Sequence, residues 1–218
     1  MKNWILILFS IVTITSYGQL DKVLKGDFYH DYTVNKNGDT TYVDPVQFHF
    51  PAQGYLDINT DIVNAYMLSC YSKTMQCLKE PILYKFKDRK FLRVVLLEQE
   101  KSTSYRLEKI DQSNFKLIVK KIDGNYENDS KLTTDSLIVN NEEYSNITEP
   151  FLKSNIWSIK PHSVQFYAID EVNMVLFESN IYGGYNFTDI YIPFTEKHKI
   201  FKEFYEGVKR IKTTANKG

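Results

Sequence analysis

Apolar and polar residues alternate with a period of two along much of the chain, and this pattern predicts β-strands. From position 82 onward, short runs rich in Val, Ile, Leu, Phe and Tyr are separated by polar turn residues. The predicted strands are 82–87, 91–100, 104–110, 114–122, 135–144, 163–169, 173–182 and 185–194. Short strands at such close spacing are typical of an antiparallel meander.

An earlier pair of strands is predicted around Asn37-Gly38. This dipeptide favours a two-residue type I′ turn, because both central positions of that turn have positive φ. The turn predicts strands at 27–35 and 40–50, in which the numbers of paired residues sum to 75. Pro45 cannot donate to a ladder, so we expect the second strand to be an edge or to contain a bulge there.

Two segments instead carry apolar residues at steps of three and four, the spacing of an amphipathic helix. The first helix is predicted near 60–79, with Thr60 as its N-cap and Pro81 beyond its end. The second is predicted near 195–212, where an apolar stripe lies opposite Lys, Glu and Arg. Residues 146–157 are predicted to form a loop or a short helix.

These elements predict a single α+β domain over 19–218, with both helices packed on one antiparallel sheet. We expect roughly eight to ten strands in a curved or partly closed meander, of which a lipocalin-like barrel is the closed form. This likeness is one of architecture and carries no function.

Residues 1–18 have the pattern of a secretory signal peptide. Lys2 precedes an apolar run over 4–14, and Ser16 and Gly18 follow with the spacing of a cleavage site. The alternative, a membrane anchor, needs about 20 apolar residues, and this run is shorter. The pattern therefore predicts an exported, periplasmic or extracellular protein without a membrane anchor, whose mature chain begins at Gln19.

Composition and charge fit an ordinary globular protein. Of 218 residues, 43% are hydrophobic and 25% are charged, with 27 basic and 27 acidic side chains. No basic stripe stands out, so the sequence does not indicate nucleic acid as a partner.

The two cysteines, Cys70 and Cys77, lie within the first predicted helix. Seven helical residues span about 10 Å, and a disulfide needs Cα atoms within roughly 7 Å. We therefore expect two buried thiols. A disulfide across a turn is the alternative, because export favours pairing. A spacing of seven is not that of a zinc site.

Motifs of catalysis are absent from the sequence: it contains no GxSxG elbow, P-loop, dinucleotide fingerprint or HExxH. His30 and Asp31 lie close together and could act in acid–base chemistry, although a strand with alternating polar residues explains them as well. No metal ligand set, cofactor or catalytic residue is assigned.

The predicted hairpin over 173–194 carries the candidate site. A two-residue turn at Gly183-Gly184 makes paired numbers sum to 367, so that Glu178 faces Asp189. One face is mostly apolar and is expected to be core. The opposite face carries the candidate ligand-binding residues, which are Glu178, Tyr182, Tyr185, Phe187, Asp189 and Tyr191.

The prediction that follows is a non-enzymatic binding module for a small molecule, a glycan or a protein partner. The alternative is an exported hydrolase that uses the acidic pair Glu178/Asp189, or His30 with Asp31. Paired carboxylates can raise one another's pKa, and aromatic rings can stack on a flat ligand.

Overall fold

A computed structural model describes about three fifths of the chain. The described residues are 24–25, 28–29, 32–34, 36–37, 40–42, 46–51, 61–98, 101–123, 131–153, 174–181, 184–191 and 199–215. The chain divides into two compact units, 1–75 and 76–218. The predicted signal peptide, His30 and Asp31 lie outside the described residues, and the single domain over 19–218 stays a prediction.

The described part of the first unit contains five short strands and most of a helix. The strands are β1 (Leu24–Lys25), β2 (Phe28–Tyr29), β3 (Tyr32–Val34), β4 (Thr40–Tyr42) and β5 (Val46–Gln47). Strands β1, β2 and β5 form one antiparallel sheet in that order, and β3 and β4 form another. The predicted strand at 27–35 therefore contains two described strands, β2 and β3, that belong to different sheets, and the one at 40–50 likewise contains β4 and β5.

The register of the first hairpin also differs from the prediction. Tyr32 pairs with Tyr42 and Val34 with Thr40, so paired numbers sum to 74 and not to 75. Five residues, 35–39, connect β3 to β4, with a turn at Lys36 and Asn37. Five-residue loops are most often built around a type I turn and not a two-residue type I′ turn, and the longer loop moves the pairing by one residue.

Helix α1 (Asp61–Cys77) confirms the first predicted helix. It ends where Lys79 adopts a left-handed conformation (φ 49°) and donates its backbone N–H to the carbonyl of Gln76 at 2.9 Å. Such a residue satisfies a terminal carbonyl of the helix, a role usually taken by glycine.

The helix is continuous through both cysteines, which keeps them too far apart for a disulfide. Cys70 and Cys77 are therefore thiols, as expected, but both are half-buried and not fully buried. Burial still raises the pKa of the Cys77 thiol.

The second unit is built on a six-stranded antiparallel sheet with helices. After a 3-10 turn at Leu83–Lys85, its elements are β6 (Phe91–Leu97), β7 (Lys101–Lys109), β8 (Asn114–Asp123), β9 (Lys131–Asn140), α2 (Asn141–Lys153), β10 (Met174–Asn180), β11 (Tyr185–Tyr191) and α3 (Lys199–Ala215). The strand order is β11-β10-β6-β7-β8-β9. The predicted α+β fold and C-terminal helix are thus confirmed.

Three details of the meander are corrected. The described residues form six strands of this sheet, which is open: its edge strands β11 and β9 do not pair with each other, as they would in a lipocalin-like barrel. The predicted strand at 82–87 is occupied by the 3-10 turn. The predicted strand at 135–144 ends at Asn140, where α2 begins. The predicted strand at 163–169 lies outside the described residues.

A capping box explains the abrupt change from strand to helix. The Asn140 side chain accepts from the backbone N–H of Glu143 at 2.9 Å, and the Glu143 carboxylate accepts from the N–H of Asn140 at 3.4 Å. This reciprocal arrangement satisfies otherwise orphaned donors at the start of α2.

The hydrophobic core of this unit lies between one face of the sheet and the two helices. Phe177 of β10 contacts the rings of Phe201 and Phe204 in α3, at centroid distances of 4.6 and 6.3 Å. On α2, Tyr144 stacks on Phe115 at 3.5 Å. The apolar stripe predicted for the last helix is therefore its buried face.

Candidate functional site

The sheet face opposite the helices carries a row of buried charged residues. In one in-register line, Phe187 of β11, Glu178 of β10, Arg93 of β6 and Arg106 of β7 lie side by side. Arg93 is 0% exposed, Glu178 1% and Arg106 7%. Buried charges are costly unless they are paired and hydrogen-bonded, so their partners determine what this face can do.

Arg93 and Glu178 form the centre of the cluster. Arg93 Nε donates to Glu178 Oε2 at 2.5 Å, and Nη2 of the same guanidinium also contacts Oε2. The hydroxyl of Tyr185 donates to Oε1 at 2.7 Å. Both oxygens of the Glu178 carboxylate are therefore engaged within the protein.

Glu80, just beyond the end of α1, supplies the second carboxylate. Its Oε2 accepts from Nη1 of Arg106 at 2.5 Å and from Nη1 of Arg93 at 3.1 Å. Its Oε1 lies 3.3 Å from Lys120 Nζ, which also donates to the carbonyl of Lys79 at 2.5 Å. These contacts fasten the segment after α1 to the sheet.

The pKa values show how the cluster holds its charges. Burial by itself would raise the pKa of Glu80, but Arg93, Arg106 and Lys120 outweigh it and lower that pKa. For Glu178, burial prevails over Arg93 and Tyr185 and raises the pKa. Burial would lower the pKa of Arg93, yet Glu178 and Glu80 keep it raised, so the guanidinium remains a cation.

The predicted facing pair of Glu178 and Asp189 is not formed. Paired numbers in this hairpin sum to 365, so Glu178 faces Phe187 and Asp189 faces Leu176. Four residues, 181–184, connect the strands in place of the predicted two-residue turn. A shift of two residues keeps every side chain on its predicted face. Both acids therefore share one face, and Val175, Phe177 and Ile190 lie in the core on the other.

The remaining candidate residues are placed as follows. Tyr185 packs edge-on against Tyr84 at 5.9 Å, and Phe187 and Asp189 are buried. Tyr182 and the side chain of Tyr191 lie outside the described residues. The assignment of these residues to a ligand stays a prediction; Glu178, Phe187 and Asp189 are buried, and Tyr185 is half-buried.

Sequence reasoning missed Glu80, Arg93, Arg106 and Lys120. One signal was present in the sequence. Arg93 interrupts the apolar run of β6, in which all six remaining residues are Phe, Leu or Val. A single arginine inside a buried strand requires a carboxylate partner. Which carboxylate it meets depends on pairing with β10, from which it is separated by 85 positions.

The most accessible strand of the sheet is β9. Seven of its ten residues are exposed, whereas five of the seven residues of β6 are buried. Its pairing with β8 is continuous over ten residue pairs, without a bulge. No described strand pairs with its outer edge. Among the described strands, β9 is therefore a long, regular edge strand of the sheet.

Hydrogen bonds of the neighbouring strands show which backbone groups of β9 point outward. Antiparallel strands alternate between hydrogen-bonded and non-bonded pairs. The N–H of Ile110 donates to the carbonyl of Asn114 at 3.0 Å, so even-numbered residues of β7 bond to β8. Odd-numbered residues of β8 then bond to odd-numbered residues of β9. The even-numbered residues of β9 therefore direct their N–H and C=O groups away from the sheet.

These outward-directed positions are Leu132, Thr134, Ser136, Ile138 and Asn140. The N–H of Asn140 is already held by Glu143 in the capping box. The edge available to a partner accordingly runs from Leu132 to Ile138. Ile138 is 59% exposed and lies beside Lys116 in the register.

Comparison with known proteins gives no family for this chain: no protein-family model and no curated protein matches it. None of the helices in the described ranges is long and apolar enough to cross a membrane.

Proposed function

We propose that this chain is an exported binding protein that recognises an extended segment of a protein partner by strand addition along β9. The observation that carries the proposal is the ten-residue strand with seven exposed residues and an outer edge with which no described strand pairs. An extended peptide that adds to a sheet edge gains backbone hydrogen bonds, while alternate side chains provide specificity.

The edge lacks the features that normally prevent such pairing. Natural edge strands are usually short, bulged, covered or protected by proline and several charges. Strand β9 has no proline, its ladder has no bulge, and its only charged residues are Lys131 and Asp135. An edge strand with these properties is a template for pairing with another chain, so we propose a specific partner.

The alternative, a hydrolase based on Glu178 and Asp189, has weaker support. A general acid or base must reach the substrate with a free oxygen. Both oxygens of Glu178 are held by Arg93 and Tyr185, and the side chain is 1% exposed. The same contacts suit a structural role beneath the surface.

Export is part of the proposal and rests on the charged start, apolar run and small residues of positions 1–18. We expect the mature chain to begin at or near Gln19, in the periplasm or outside the cell. N-terminal sequencing of protein from the exported fraction checks this expectation, and a chain that retains Met1 would contradict it.

The strand-addition proposal is tested by replacing Ser136 with proline. Ser136 directs its N–H outward, so Ser136→Pro removes no bond of the β8–β9 ladder and blocks the approaching strand. A partner bound at this edge loses one hydrogen bond and leaves a buried carbonyl unsatisfied, at a cost of about 1–3 kcal/mol. We expect affinity to fall by about five- to 150-fold.

The measurement uses ten-residue peptides selected from a random display library on the immobilised mature protein. Selected peptides should bind the wild type and Ser136→Ala equally and lose affinity for Ser136→Pro. Circular dichroism and urea unfolding of both variants establish that the fold is retained. Equal binding of the peptides to Ser136→Pro, or a library that yields no binders, would overturn the proposal.

A further inference from the structure

We propose that the segment bound at β9 is acidic and apolar, with an apolar side chain against Ile138 and a neighbouring carboxylate beside Lys116. This inference rests on the proposed function and specifies the chemistry of the partner. It follows from the side chains and charges that surround the free edge.

The apolar contact is defined by the register. Ile138 is 59% exposed, and Ile118 of β8 lies diagonally next to it, opposite the small side chain of Ser136. In an added strand, the residues opposite Ser136 and Ile138 point to this same face. An apolar side chain there covers Ile138 and reaches Ile118 across Ser136.

The ionic contact involves Lys116 of β8. Lys116 pairs with Ile138 on one side and with Glu108 on the other. Glu108 is already bound by Arg106, whose Nε lies 3.0 Å from Oε1. Lys116 forms no ion pair with any residue that the structure describes. An added strand would run about 10 Å from β8, a distance that a lysine and a glutamate side chain span together.

The net charge of the two outer strands favours an acidic partner. Strands β8 and β9 contain four lysines and two aspartates, a net charge of +2. Of the four lysines, Lys120 is paired with Glu80, which reduces this net charge from +2 to +1. Lys121 and Lys131, like Lys116, make no ion pair within the described ranges. A second copy of the chain would bring the same positive charge to the edge, whereas an acidic segment complements it.

Three synthetic peptides test the inference. They share one alternating Thr–Val sequence with a central isoleucine. The peptides differ only at the two positions that lie two residues before and two residues after the isoleucine, on the same face of the strand, where they carry Glu, Gln or Lys. Their affinities are measured by fluorescence anisotropy at low and at physiological salt. We expect the Glu peptide to bind the wild type at least about tenfold more tightly than the Lys peptide, with a smaller difference at higher salt.

Two charge-reversal variants provide the control. Lys116→Glu should remove or reverse the preference for the Glu peptide. Lys202→Glu makes the same change of net charge on an exposed position of α3 and should leave the preference intact. Ile138→Ser should lower the affinity for all three peptides. Because the position is exposed, the substitution should not reduce the stability of the protein.

The outcomes separate this inference from the proposed function. Equal affinities for the three peptides, with binding still lost in Ser136→Pro, would overturn the acidic partner and leave strand addition standing. Binding that survives Ser136→Pro would overturn strand addition itself. A wild type that sediments as a dimer, with a monomeric Ser136→Pro variant, would show that a second copy occupies the edge and would overturn the acidic segment.

Discussion

Replacing Arg93 with methionine is expected to lower the free energy of unfolding by about 3–5 kcal/mol. Arg93 is the only cation that contacts Glu178 in the described cluster, and both side chains are buried. Methionine fills a similar volume but leaves the Glu178 carboxylate without its counter-charge. The cost is that of an uncompensated buried charge, which exceeds the net value of the intact pair. Urea unfolding of the variant measures it.

A double variant distinguishes this cause from simple loss of packing. In Arg93→Met/Glu178→Met, both charges are removed, while Glu80 keeps Arg106 and Lys120 as partners. We expect the double variant to be more stable than Arg93→Met alone, because apolar replacement of a whole buried pair is often neutral. Losses that simply add would contradict this explanation.

A control is the ion pair between exposed Lys101 and half-buried Glu98, whose Nζ and Oε2 atoms are 3.4 Å apart. The Lys101 side chain is 57% exposed, so Lys101→Met should change stability by less than about 1 kcal/mol. Comparing the losses of stability in Arg93→Met and Lys101→Met isolates the effect of burial on the cost of breaking an ion pair.

Truncating Phe204 to alanine is expected to destabilise the fold by about 3–5 kcal/mol, the usual range for a buried phenylalanine. Phe204 is 2% exposed and lies at the centre of the buried face of α3, against Phe177. Its removal leaves a cavity between the helix and the sheet. Urea unfolding followed by far-UV circular dichroism provides the measurement.

Lys202→Ala is the control on the same helix, because Lys202 is exposed. It should change stability by no more than about 0.5 kcal/mol. A loss below about 1 kcal/mol for Phe204→Ala would mean that α3 is not held to the sheet through this face.

The two faces of the sheet are held to the rest of this unit by different kinds of contact. On one face, aromatic and aliphatic residues attach α2 and α3. On the other, a buried ion cluster fastens the segment after α1 to β6, β7 and β8. This cluster lies close to the middle of the sheet, whereas the exposed surface is at the β9 edge. A binding function at β9 therefore places recognition away from the most costly buried charges.

Local sequence determined the elements whose signals act over a few residues. The bounds of α1 and the buried stripe of α3 followed from periods of three and four, because a helix bonds within its own segment. The division of β10 and β11 into an apolar and a polar face followed from a period of two. The predicted faces were correct although the predicted turn was wrong, because the error in register was an even number of residues.

Tertiary structure alone decided the pairings between distant strands and the chemistry that depends on them. The register of β10 against β6 joins Glu178 to Arg93, and the end of α1 brings Glu80 to both arginines. Periodicity cannot supply such pairings, since it fixes the face of a side chain and not its neighbour. Nor could it show that β9 ends the sheet, because whether a strand is central or an edge is a property of the assembled sheet and not of its own residues.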